Sequence, residues 1–290
     1  MRVTVAACQT PADVDWPDHG HVERAVRAAI GLGAAVVVVP ELAVSGSCFA
    51  DAEEARGAAE PADGPTVRLW RALSAELGCV LVGGYPELGG DGSVYNTAVL
   101  IDAGAVRHQY RKVHLWGMEK ELFTPGSAPP AAVATSVGRV AVMICYDLEI
   151  PEWVRLAALD GAELIAAPCN WPSLPRPAGE RPIELIKAQA SAAVNKTPIV
   201  VADRCGAERG VDWIRGSAVI DHSGYLLADA GSAGGTDPVV VSAAVDLTAA
   251  KDKTIGQYND AFADRRPQFY GALSAHGPLL RTGDGAGGRD

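Results

Sequence analysis

The sequence has no paired cysteines, no basic stretch and no apolar run of membrane length. Its six cysteines (Cys8, Cys48, Cys79, Cys145, Cys169 and Cys205) stand singly. None belongs to a CxxC pair or to a Cys/His spacing that would hold a metal. A chain of 290 residues does not need disulfide staples, so reduced thiols and a cytoplasmic location are expected. Lysine and arginine number 25 against 35 aspartates and glutamates, a net charge of −10. No basic stripe exists to neutralise phosphates, so nothing favours nucleic acid as a partner. The Ala/Val run at residues 34–39 is too short to cross a bilayer, so no membrane partner is expected. The opening MRVTVAACQT reads as a strand, not as the basic and apolar segments of a signal peptide.

What is present suits a soluble globular protein: 48% hydrophobic and 21% charged residues. Apolar strands alternate with amphipathic helices. Residues 17–33 carry Val22, Ala25, Val26, Ala29 and Ile30 at helical spacing. Residues 34–40 then read as a strand buried on both faces, because valine occupies both parities. Further helices are predicted over 65–77, 151–159 and 183–195, and strands over 79–85, 137–147, 163–172, 198–204 and 239–246. Two hairpins are predicted, one turning at 102–105 and one at 222–224. Residues 112–130 read as a long loop with proline and glycine. No linker or repeat interrupts this pattern. The expectation is a single domain over 1–276 followed by a disordered Gly-rich tail over 277–290. Its α/β class implies a four-layer α-β-β-α sandwich, two mixed sheets covered by helices, which would bury the doubly apolar strands.

Three side chains follow apolar strands, where distant segments can converge. Glu41 follows Pro40 and four valines, Lys112 follows a hairpin strand, and Cys145 ends the strand VGRVAVMIC. Each has a plain reading: a capping carboxylate, a surface charge, a small buried hydrophobe. Each also has a chemical one. A Cys145 thiolate can attack a carbonyl while backbone N–H groups receive the oxyanion. A buried Glu41 has a raised pKa and suits a general base. Lys112 can stabilise a negative tetrahedral intermediate and favour the thiolate.

The joint order of Glu41, Lys112 and Cys145 resembles the nitrilase superfamily of carbon–nitrogen hydrolases. So do Cys8–Gln9, Tyr110–Arg111–Lys112–Val113–His114–Leu115, Glu119 placed four residues before Phe123, Pro125–Gly126, Cys145–Tyr146–Asp147, and Arg265–Arg266–Pro267 with Tyr270. The resemblance spans nearly the whole chain. It implies Cys145 as nucleophile, Glu41 as general base, Lys112 as oxyanion stabiliser and Glu119 as a further positioning or catalytic glutamate, with Glu121 the rival. The Tyr146 backbone N–H would join Lys112 in the oxyanion hole. The resemblance also implies the α-β-β-α sandwich, no cofactor, a small-molecule amide substrate, and a homodimer or higher homo-oligomer.

Nitrile-cleaving members resemble one another in having Trp–Glu after the cysteine. Tyr146–Asp147 points instead to the amidase and carbamoylase branches. Glu149, with Asn170 and Trp171, is a candidate substrate-binding set. A pocket carboxylate attracts a cation and Trp171 adds a cation–π face. This resembles 5-aminopentanamidase-like enzymes and suggests an ω-amino or ω-guanidino amide. The alternative for Glu149 is a salt bridge to Arg155 or a helix cap. Two further readings stand beside the amidase. One is an N-carbamoyl amino acid or ureide hydrolase, which would want an arginine such as Arg155 or Arg204 near the cysteine. The other is a non-catalytic binding module. His114, Cys169 and Cys205 are read as packing or structural residues.

Overall fold

Along β1 (Arg2–Gln9) the side chains part by parity. Val3, Val5 and Ala7 enter one core, and Ala6 and Cys8 enter another. The same division runs through β2 (Val36–Val38) and β3 (Val80–Leu88). Val36, Val38, Val80 and Val82 take the first core, and Val37 and Leu81 the second. The second core is closed from outside by α1 (His19–Gly31) and α3 (Pro65–Leu77), through Val22, Val26, Val67 and Trp70. The first core is shared with another sheet, through Val140, Val142, Leu164, Val200 and Val219, which the strand register places on one face. The first core is the β–β contact of an α-β-β-α sandwich, and the second is one of its α–β contacts.

The computed structural model describes residues 1–231 and 238–275. The first sheet adds β4 (Val94–Asp102), β5 (Ala105–Arg111) and β14 (Val239–Asp246), in the order β14-β1-β2-β3-β4-β5. The second contains β6 (Ala132–Thr135), β7 (Gly138–Val142), β8 (Leu164–Pro168), β9 (Ile199–Ala202), β12 (Ala218–Ile220) and β13 (Leu226–Asp229). Its order is β13-β12-β9-β8-β7-β6. Both sheets use one plan: three parallel strands flanked by antiparallel ones. Helices α5 (Pro151–Leu159) and α6 (Ile183–Asn195) bring Val154, Ala157, Leu185, Ala188 and Ala192 to the core of the second sheet.

The unit so formed is Met1–Asp252. A second unit starts at Lys253. Its described part holds an antiparallel pair, Thr254–Ile255 with Asn259–Asp260, and a turn in which Arg265 lies 5.5 Å from the Tyr270 ring centroid. The expected disordered tail, 277–290, lies outside the described residues. Among those residues no helix is long and apolar enough to cross a membrane.

Several predicted boundaries move. The strand expected over 137–147 stops at Val142, and Cys145–Glu149 forms a 3-10 turn. The strand expected over 163–172 stops at Pro168. In both cases the residues beyond stay buried, so apolar content outlasts the ladder. The expected loop at 112–130 contains a single helical turn, α4 (Glu119–Leu122). The acidic run beginning at Asp51 starts α2 (Ala52–Ala58), where the Asp51 side chain accepts from Glu53 N and Glu54 N. A small hairpin, β10 (Ala207–Glu208) with β11 (Val211–Asp212), was not predicted; two-residue strands carry too little pattern.

Candidate active site

Glu41 leaves the end of β2 through an awkward bend. Leu42 has φ +46°, a left-handed conformation that side chains rarely adopt. The bend lies hard against β3, where a Cβ on Gly84 would sit 2.7 Å from the Glu41 Cα. Glycine there lets the two backbones touch. Lys112 follows β5 and is tied to β4, its N–H donating to Asn96 O at 2.8 Å. Cys145 opens the turn after β7 with φ +48°. Non-glycine residues held in this region concentrate at functional sites.

These exits converge. Lys112 Nζ donates to Glu41 Oε1 at 2.7 Å and to Glu119 Oε2 at 2.7 Å. Glu41 and Lys112 are each 1% exposed. Asn96, which the sequence reading missed, donates its Nδ2 to Glu41 Oε1 at 2.6 Å and to Glu119 Oε1 at 2.9 Å. Glu119 also accepts from Trp116 N at 2.7 Å, so Glu119, not Glu121, joins the cluster. Cys145 lies close enough to Glu41 and Lys112 for their charges to act on its thiol. Its Sγ donates to the Asn170 carbonyl at 3.8 Å.

The cluster has two carboxylates and one ammonium in a dry setting. Burial first, then the like charge of Glu119, pushes the Glu41 pKa up to about 7 against the pull of Lys112. Burial works against the Lys112 charge, but Glu119 and Glu41 outweigh it and hold its pKa well above the usual lysine value. The Cys145 thiol is raised well above its usual value by a hydrogen bond with Cys169, by burial and by Glu41. Lys112 pulls the thiol pKa down, in the expected direction, but Cys169, burial and Glu41 outweigh that pull in the resting site.

Asp147 braces this arrangement. Its carboxylate accepts from Tyr110 Oη at 2.8 Å and His114 N at 2.9 Å, and meets His114 Nδ1 at 2.6 Å. The turn carrying Cys145 is thereby tied to the segment after Lys112, and His114 has the expected structural place. Tyr146 is the second residue of that turn, where opening N–H groups have no partner within the helix.

Glu41, Lys112, Glu119, Cys145 and Asn170 line one cavity of about 400 Å³. Its other walls are mainly apolar and include Phe49, Trp116, Met118, Leu122 and Trp213. Arg209 also reaches it, held by Asp15 at 2.6 Å and Glu54 at 2.7 Å. Glu149 and Trp171 do not line this cavity. They line a recess of about 20 Å³ beside Cys145. Glu149 is ion-paired with Lys187, not with Arg155, and Trp171 is 1% exposed. A cationic tail would have to displace Lys187 to reach Glu149.

The arginines considered for a carbamoyl substrate are committed elsewhere. Arg155 donates to Val194 O at 2.9 Å. Arg204 is buried against Glu208 at 2.7 Å, and its guanidinium lies 4.3 Å from the Trp213 ring centroid. Glu208 in turn accepts from Val14 N, Ser47 N and Cys48 N at 2.8 to 3.2 Å. This knot fixes the loop that supplies Ser47, Cys48 and Phe49 to the cavity wall. Among the described residues, no group of three or more His, Cys, Asp or Glu side chains is placed to hold a metal ion.

Residues 4–253 match the carbon–nitrogen hydrolase family. The chain is 34% identical over 273 residues to a nitrilase of Pyrococcus abyssi, covering 92% of this chain and 99% of that protein. It is 32% identical over 287 residues to the N-carbamoylputrescine amidase of Solanum lycopersicum, covering 93% and 94%. Among solved structures, an amidase from Nesterenkonia sp. AN1 superposes with a TM-score of 0.74 at 26% identity, covering 93% of this chain and 99% of that one. In that structure acrylamide has undergone Michael addition at the active-site cysteine. The chain belongs to the carbon–nitrogen hydrolase family, in the amidase branch of the nitrilase superfamily, and is a hydrolase of non-peptide C–N bonds.

Proposed function

We propose that the protein hydrolyses a small primary amide to its acid and ammonia, through a thioester on Cys145. The observation that carries this reading is the convergence of Cys145 with the Glu41–Lys112–Glu119 cluster in one cavity. Glu41 accepts the Cys145 proton as Sγ attacks the amide carbonyl. Lys112 and the Tyr146 N–H receive the negative charge on the carbonyl oxygen. Glu41 then gives its proton to the amide nitrogen, the C–N bond breaks, and ammonia leaves. In the second half Glu41 takes a proton from water, whose oxygen attacks the thioester. The acid departs and the proton returns to the sulfur. Asn96 and Glu119 position Glu41 and Lys112.

The raised pKa of Glu41 suits this base role near neutrality. The protonated resting thiol makes such a base necessary. Apolar walls favour an uncharged aliphatic or aromatic acyl tail over a cationic one. The Glu149–Lys187 pair weighs the same way. A second reading, hydrolysis of an N-carbamoyl amine to amine, carbon dioxide and ammonia, is favoured by the similarity to N-carbamoylputrescine amidase.

Ammonia release from butyramide, 5-aminopentanamide, an N-carbamoyl amine and a nitrile tests these readings, with Cys145→Ala as the blank. Release from the amides by the wild type alone is the expected result. Equal release by the folded Cys145→Ala variant would overturn the mechanism. Release from the carbamoyl compound alone would select the second reading.

A further inference from the structure

Asn170 follows β8 with its backbone held rigidly on both sides. Before it, Cys169 N donates to Ala202 O at 2.8 Å, and after it, Trp171 N donates to Asp203 Oδ1 at 2.9 Å. The Asn170 carbonyl accepts the Cys145 thiol, so this residue stands directly beside the sulfur. Its side chain lines the same cavity and is 7% exposed as a residue. Both ends of its carboxamide, Nδ2 and Oδ1, are buried with no partner in the protein. A buried amide left unpaired is costly, and sites that accept that cost are commonly satisfied by what they bind.

The proposed reaction leaves this amide one part of the substrate to meet. Lys112 and the Tyr146 N–H take the carbonyl oxygen, and Glu41 takes the leaving nitrogen. The remaining substituent of the carbonyl carbon is the acyl side. We infer that Asn170 is a specificity-determining residue that hydrogen-bonds a polar group on the acyl side, next to the scissile carbonyl. The substrate class this selects is a primary amide with an α-hydroxyl, α-amino or ureido N–H group and an apolar tail beyond it. Such a group donates to Oδ1, and a hydroxyl also accepts from Nδ2. A plain aliphatic amide leaves both atoms unpaired in a desolvated site. Pockets built to hydrogen-bond a substrate discriminate strongly against analogues that lack the group.

This inference rests on the amidase reading, and its test separates the two. The readout is the ratio of kcat/KM for 2-hydroxybutyramide to that for butyramide, measured on one preparation. Active-enzyme concentration cancels in the ratio, so partial folding of a variant cannot mimic the effect. The wild-type ratio is expected to be about tenfold or more above one, and to fall to about one in Asn170→Leu and Asn170→Ala. A ratio unchanged between the wild type and both variants would overturn the role of Asn170 while leaving the amidase intact. Absence of turnover of either amide by the wild type would remove both readings together.

Discussion

Glu41 and Glu208 are both buried glutamates paired with a buried cation, and they are built to opposite ends. Glu208 sits in a knot where Arg204, the Ser47 hydroxyl and three backbone N–H groups all donate to it. Glu41 receives Lys112 and Asn96 on a single oxygen, Oε1. Its Oε2 is not engaged by either donor. Burial leaves the Glu41 pKa near 7. A carboxylate saturated with donors holds loops in place, whereas one with an open oxygen and a pKa near neutrality can exchange a proton. The difference lies in how many donors surround each group, not in its depth.

Removing each carboxylate's charge should expose that division. Glu41→Gln should lower kcat/KM by about a thousandfold, the scale of a lost general base. Its thermal stability at pH 8 should be unchanged or higher. The folded-state pKa of Glu41 is raised, so its contribution to stability is present below about pH 4.5 and is lost as pH rises through about 7. Glutamine removes that penalty. Glu208→Gln should do the reverse: lose about 3 kcal/mol of stability in a denaturant melt, because Arg204 is left buried without its counter-charge. The folded fraction should keep its chemistry. A Glu208→Gln enzyme that is stable but inactive would erase the distinction.

A smaller effect sharpens the same comparison. Since Glu41 must be ionised to take a proton, kcat/KM should rise with pH through a midpoint near 7. Asn96 lowers that midpoint by donating to the ionised form. In Asn96→Leu the acid limb of the profile should therefore move to higher pH. A limb that stays in place while kcat falls at all pH values would make Asn96 a packing residue only. The smallest effect is expected at Glu149→Gln. Lys187 is 42% exposed, and such pairs contribute about 0 to 1 kcal/mol. Rates on cationic and neutral amides should change little and equally. A selective loss on 5-aminopentanamide would restore Glu149 as a cation receptor.

What was legible in the sequence follows from range. Helical periodicity over 65–77, 151–159 and 183–195 matches α3, α5 and α6 because each carries several apolar turns. Glu41, Lys112 and Cys145 stood out because each lies at the exit of a strand, and these three line one cavity. Asn96 was invisible because it occupies an ordinary strand position. Its importance comes from the register that sets β4 beside β5 and from where Glu41 and Glu119 end up. Glu149 shows a related limit: adjacency to Cys145 in sequence does not specify a partner, and Lys187 arrives from α6 to pair with it. Arg204, near the site in sequence order, spends its charge behind the wall.

The two sheets contribute different reactants. Glu41 and Lys112 leave strands of the first sheet, while Cys145 and Asn170 leave strands of the second. The shared core between the sheets therefore acts as an alignment gauge. A slip of one sheet by a fraction of an ångström separates sulfur from base before any strand melts. Heating should silence the enzyme while its far-ultraviolet circular dichroism is still native, so turnover reports sheet alignment at temperatures where secondary structure registers no change.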